Sequence, residues 1–152
     1  MNKFGKFLGI VSMLFLFVTQ AQAADKKAEV TALMDKAIAH FNKVGADQAY
    51  KDFSDPKGGF IQGEIYVVVQ DMTAKIVHHA TNPKLIGKDG MGLKDADGKE
   101  FNKEMVEGLK SADSLWIKYK WSNPETKKIA QKESFVKKVN KDLYLIIGYY
   151  VD

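Results

Sequence analysis

The sequence predicts an α+β domain in which a long N-terminal helix packs on one five-stranded antiparallel sheet. Three observations carry this: an apolar stripe at helical spacing early in the chain, β-branched and aromatic runs with short connections later, and a length of 152 residues, which suits one core.

From Lys27 to Val44, the residues Val30, Leu33, Met34, Ala37, Ile38, Phe41 and Val44 recur at steps of three and four, one stripe of an amphipathic helix that Gly45 ends. Ala46 to Phe53 reads as a further short helix, and Asp55-Pro56-Lys57-Gly58-Gly59 breaks the chain. Glu64 to Asp71 and Lys75 to His79 read as a hairpin around Met72-Thr73-Ala74. Thr81 to Lys99 has no regular pattern, and a loop of that length in a small domain points to function or mobility. Phe101 to Ala112 has helical spacing, with Asp95 or Asp97 as the expected cap. Leu115 to Trp121, Lys128 to Val139 and Leu143 to Val151 then form a three-stranded meander.

The first residues read as a targeting segment. Lys3 and Lys6 precede an apolar run of 12 residues, Phe7 to Val18, and Ala21-Gln22-Ala23 offers the small residues that signal peptidase accepts. Residues 1–23 are therefore expected to be a signal peptide cleaved before Ala24, leaving 24–152 as one periplasmic domain with no transmembrane span and no transmitter of its own. The alternative is an uncleaved leader anchoring the chain to the inner membrane, although a span needs about 20 apolar residues.

Composition narrows the function further. All 23 basic residues are Lys, so the planar guanidinium fork that grips guanine edges and phosphates is absent, and no nucleic-acid partner is expected. Removing the leader leaves 21 lysines against 19 acids, a balance of +2. With no Cys there is no disulfide framework, thiolate metal site or thiol nucleophile. The sequence also lacks a Gly-x-Ser-x-Gly elbow and a phosphate-cradling glycine loop, so it predicts neither an enzyme nor a cofactor.

Two constellations suggest metals and have plainer readings. His78 and His79 are neighbours on a strand and point to opposite faces, so one is expected toward the core or a pocket and the other toward solvent. Asp95-Ala96-Asp97-Gly98 resembles part of a calcium loop, but the first ligand position is Leu93, and an Asp-Gly turn explains the same residues. In the strand from Leu115, alternation places Leu115, Ile117, Tyr119 and Trp121 on one inward face. The residues themselves leave open whether this aromatic set is core or the lining of a polar-tipped pocket.

Taken together, Tyr66-Val67-Val68-Val69-Gln70-Asp71 through His79, Asn82-Pro83-Lys84-Leu85-Ile86-Gly87-Lys88, Leu93 to Phe101, Tyr119-Lys120-Trp121-Ser122-Asn123-Pro124, Lys132-Glu133-Ser134-Phe135-Val136 and Gly148-Tyr149-Tyr150 resemble a single Cache domain of the second type. The resemblance implies a PAS-like extracytoplasmic fold that senses a small ligand, commonly a short organic acid, in a pocket between the sheet and the irregular segment. It also implies the ligand contacts His79, Tyr119, Trp121 and Lys132: a lysine to offset a carboxylate, a histidine and a phenol to donate hydrogen bonds, and an indole to exclude water. The partners expected are a small-molecule ligand and a membrane-bound signalling protein. The alternative is a periplasmic structural or protein-binding module whose aromatic cluster is only core.

Overall fold

The structure, a computed structural model, describes residues 8–151, with side chains from residue 22 onward. Lys3, Lys6 and the side chain of Ala21, on which the leader reading partly rests, lie outside the described residues. Helix α1 (Leu8–Val44) is followed by α2 (Ala46–Ser54), strands β1 (Val67–Asp71) and β2 (Ile76–His79), a 3-10 turn at Pro83–Leu85, helix α3 (Phe101–Ser111), and strands β3 (Ser114–Ser122), β4 (Ile129–Lys138) and β5 (Leu143–Val151). Among the described residues, no helix is long and apolar enough to cross a membrane.

The five strands form one antiparallel sheet in the order β2-β1-β5-β4-β3. The last strand therefore pairs with the first, which closes the meander onto the hairpin and places β5 at the centre. Both faces of the sheet are covered. On one face α1 contributes Val30, Leu33, Met34, Ala37 and Phe41 and α2 contributes Ala49 and Phe53, against Val67, Val69, Leu145, Ile147 and Tyr149 of the sheet. The predicted helical stripe is thus the stripe that is buried. Gly45 separates the two helices at φ 80°, in the left-handed region that glycine tolerates best.

The second face carries Tyr66, Val68, Tyr119, Val136, Tyr144 and Ile146 and is roofed by α3 through Phe101, Met105, Val106 and Leu109. The irregular segment also belongs to this roof. The Ile76 amide donates to Lys88 O at 3.0 Å and the Gly87 amide to Ile76 O at 2.7 Å, so the segment runs along the outer edge of β2. Asp95 pins it to the other edge: one oxygen accepts from the amides of Asp97 and Lys99, both at 2.9 Å, and the other from the Lys120 amide at 2.9 Å.

These bonds correct the expected helix cap. Asp95 spends its carboxylate on its own turn and on β3, and α3 begins after Glu100 with no side-chain cap bond. The amides of Lys120, Lys99 and Asp97 hold the Asp95 carboxyl below the usual carboxylate range. Among the described residues, no three His, Asp or Glu side chains converge as a metal site would require.

The histidine pair is corrected as well. His78 and His79 do point to opposite faces, but each is 4% exposed, because helices cover both faces. His78 stacks on Tyr50 with ring centres 5.1 Å apart and planes 5° from parallel, and its Nε2 lies 3.5 Å from Ser54 Oγ on α2. His79 faces the α3 side.

Candidate ligand-binding site

The strand register assembles the site. Across β3 and β4, Tyr119 pairs with Lys132, and across β4 and β5, Lys132 pairs with Tyr150. Trp121 follows Tyr119 by two residues and shares its face, while Val68 pairs with His79 across β1 and β2. The result is a cavity of about 30 Å³ between the sheet, α3 and the irregular segment, and His79, Tyr119, Trp121 and Lys132 all line it. Sequence reasoning left core and pocket open for this cluster; the structure brings all four residues to the wall of one small cavity.

Lys132 is the unusual member. It is 2% exposed, and among the described residues no acidic side chain lies within ion-pair distance of its Nζ. It faces two π systems: Nζ sits 4.0 Å from the Tyr66 ring centre and 5.2 Å from that of Tyr150. Burial lowers its pKa below the ordinary lysine value, against the opposing pull of Tyr119 and Glu64. A buried ammonium without a counter-ion is costly, so this wall favours an anion.

The other donors are preset. The amide of Asn82 donates to His79 Nδ1 at 3.1 Å, which makes Nδ1 an acceptor and puts the imidazole proton on Nε2. Burial, assisted by the charge of Lys132, lowers the His79 pKa to about 3, so the ring is neutral near pH 7. Tyr119 exchanges a 3.1 Å hydrogen bond with Ser134 Oγ, and burial raises its pKa, keeping it protonated. Phe101 stacks on Tyr119 at 4.4 Å and meets Trp121 edge-on at 5.5 Å, so three aromatic rings pack together along one wall of the cavity.

Several lining residues were not evident in the sequence. Tyr66 holds Lys132 and lies 5.2 Å from the His79 ring; its alternation with Val68 and Gln70 gives the face but not the partner. Phe101 and Asn102 enter from the first turn of α3, where helical spacing marks Phe101 as core and says nothing of Asn102.

The size is informative. Drug-sized pockets run to roughly 300–1,000 Å³, and a buried water needs about 10–15 Å³ of such space. A cavity of about 30 Å³ therefore has room for roughly two or three waters and is far smaller than a drug-sized pocket.

Comparison with known proteins gives a consistent picture. The Single Cache domain 2 family model matches residues 19–152. Over 88 residues, 57% of this chain, the sequence is 30% identical to the methyl-accepting chemotaxis protein McpP of Pseudomonas putida. The chain spans 16% of that relative's length. A solved periplasmic sensor domain of a chemotaxis protein superposes with a TM-score of 0.73 at 28% identity, covering 86% of this chain and 98% of the other. A solved Cache chemosensory domain, described with the structural basis of its carboxylic acid recognition, gives a TM-score of 0.69 at 26% identity, covering 89% and 97%.

Proposed function

The chain belongs to the Single Cache domain 2 family, and from that premise we propose that its cavity binds a short carboxylic acid outside the inner membrane, in a state that a membrane-bound signalling protein reads. The observation that carries this reading is Lys132, a buried cation facing a cavity of about 30 Å³ with no acidic partner among the described residues. The ligand's carboxylate supplies the missing charge, and the protons of His79 Nε2 and Tyr119 complete its hydrogen bonds. Trp121 and Phe101 keep water out, so that these bonds are made in a low dielectric. The carboxylic acid recognition described for a relative at 26% identity supports the same ligand class. The leader fits this location: residues 1–23 are removed and 24–152 act in the periplasm, which the mass of the protein recovered from that compartment tests.

The deciding experiment is a thermal-shift titration of the purified protein with acetate and propionate. At a hundredfold excess over Kd, ligand binding stabilises the native state by about 2.7 kcal/mol, a rise of several degrees for a domain of this size. The expected result is a saturable rise that disappears in Lys132→Met. An unchanged Tm across short acids, or an undiminished response in that variant, overturns the assignment.

A further inference from the structure

One carboxylate that does not line the cavity is tied to the groups that face Lys132. Glu64, in the segment leading into β1, accepts through one oxygen from the Tyr150 amide of β5 at 3.2 Å and from Lys26 Nζ of α1 at 3.4 Å. Its other oxygen accepts from Asn123 Nδ2, in the β3–β4 connection, at 2.9 Å. Asn123 is 5% exposed, and its own oxygen takes the amides of Glu125 and Thr126, which fixes the orientation of its amide nitrogen. With its side chain only 18% exposed, Glu64 is set in place by a backbone amide, an oriented side chain and a lysine.

That place bears on the cavity. Tyr150, whose amide Glu64 takes, pairs with Lys132 across β4 and β5 and presents its ring 5.2 Å from Lys132 Nζ. Tyr66, two residues after Glu64, puts its ring 4.0 Å from the same atom. Glu64 makes no ion pair with Lys132, but in protein a unit charge acts across several ångströms, and the Glu64 charge opposes the effect of burial on Lys132. The other titratable groups around Lys132 hold steady over the alkaline range: burial keeps His79 neutral and Tyr66, Tyr119 and Tyr150 protonated.

We propose that Glu64 is a positioning residue for acid binding: it anchors the Tyr150 end of β5 beside Lys132 and supplies, from outside the cavity, the negative charge that keeps Lys132 an ammonium while the cavity is empty. The proposal rests on the carboxylate reading above. It separates two tasks, with Lys132 meeting the acid and Glu64 readying Lys132 for it.

The test is isothermal titration of wild type, Glu64→Gln and Glu64→Asp with acetate and propionate from pH 6 to pH 10. Acid affinity is expected to be level at first and then to fall about tenfold per pH unit once Lys132 loses its proton in the free protein. The readout is the pH of that bend, because a purely structural role would weaken binding alike at every pH. In Glu64→Gln the bend is expected about one pH unit lower, the effect of removing one charge several ångströms away; in Glu64→Asp it stays near the wild-type pH. If Glu64→Gln does not fold, Lys26→Met decides, with a bend about half a unit higher expected because a competing cation is gone. A bend at the same pH in wild type and variant, none in either, or one that moves as far in Glu64→Asp overturns the role of Glu64 and leaves the carboxylate reading intact. Absence of acid binding in wild type overturns both.

Discussion

Lys132 Nζ lies 4.0 Å from the centre of the Tyr66 ring, so a buried cation is held by a tyrosine face where a carboxylate would be the usual partner. A cation–π contact of this kind is worth about 0.5–2 kcal/mol, well short of the several kcal/mol that desolvating an ammonium costs. The ligand-free domain thus carries a deficit that a bound anion would relieve.

It follows that Lys132→Met makes the ligand-free protein as stable as wild type or more so, by about 1–2 kcal/mol, because a chain of similar volume fills the space without the charge. Urea denaturation measures this. A clear loss of stability in that variant would mean that Lys132 is structurally satisfied and owes nothing to a ligand.

Acid sensitivity is expected from the two buried histidines. Burial lowers the His78 pKa to about 4 and the His79 pKa to about 3, from an ordinary 6.5. Between these values the unfolded chain binds protons that the folded chain refuses. The stability is therefore fully present above pH 6.5 and is lost as the pH falls toward 4, by on the order of 3 kcal/mol per histidine. His78→Phe, which keeps a ring against Tyr50 and Phe53, is expected to remove about half of that loss and leave the ligand response unchanged. A melting profile from pH 7 to pH 4 that matches wild type would show that His78 does not set the acid limb.

Much of this fold was legible because single-face patterns survive translation into structure. Val30, Leu33, Met34, Ala37 and Phe41 read as a stripe and are buried as one. The alternation Leu115, Ile117, Tyr119, Trp121 faces inward as expected, and the structure puts α3 over it. Lys132 could be placed beside Tyr119 only through the family resemblance, since no local pattern reports cross-strand register. Where the reading failed, a distant element decided. One histidine of the pair was expected in solvent because α2, which buries His78, lies more than twenty residues earlier, and Asp95 was a candidate cap beside Asp97 because its true partner, the Lys120 amide, is on β3. Asn102 gave no signal at all: its amide donates to the carbonyl of Gly90, a contact across the irregular segment that no local pattern reports.

Gly148 makes room for the Tyr119 bond. It pairs with Ser134 across β4 and β5, and a Cβ there would press on Ser134 Oγ and lie 2.5 Å from the Glu133 carbonyl. Backbone cannot yield as a flexible side chain does, so Gly148→Ala is expected to cost about 1–3 kcal/mol. It should also weaken acid binding, because Ser134 Oγ positions the Tyr119 hydroxyl at 3.1 Å. Wild-type stability in Gly148→Ala would show that the centre of the sheet adjusts freely.

On the opposite face, Glu133 gives a control that separates stability from binding. It neighbours Lys132 on β4, so its side chain points to the α1 side, where Lys27 Nζ meets one oxygen at 2.8 Å and the Tyr149 hydroxyl donates to the other at 2.7 Å. Burial pushes the Glu133 carboxyl up, but the bonds from Lys27 and Tyr149 outweigh it and hold the group below its ordinary range. With its folded pKa lowered, the network stabilises above pH 4.5 and loses that contribution as the carboxylate protonates. Tyr149→Phe is expected to cost about 1–2 kcal/mol at pH 7 by stripping a buried acceptor of its donor. Lys27→Met should cost only about 1 kcal/mol, since Lys27 is 43% exposed and solvent screens the pair. Both variants are expected to bind short acids with wild-type affinity, because the sheet lies between Glu133 and the cavity. Titration calorimetry beside urea denaturation checks both, and a Kd that moves with either variant would mean that the two faces are coupled through β4.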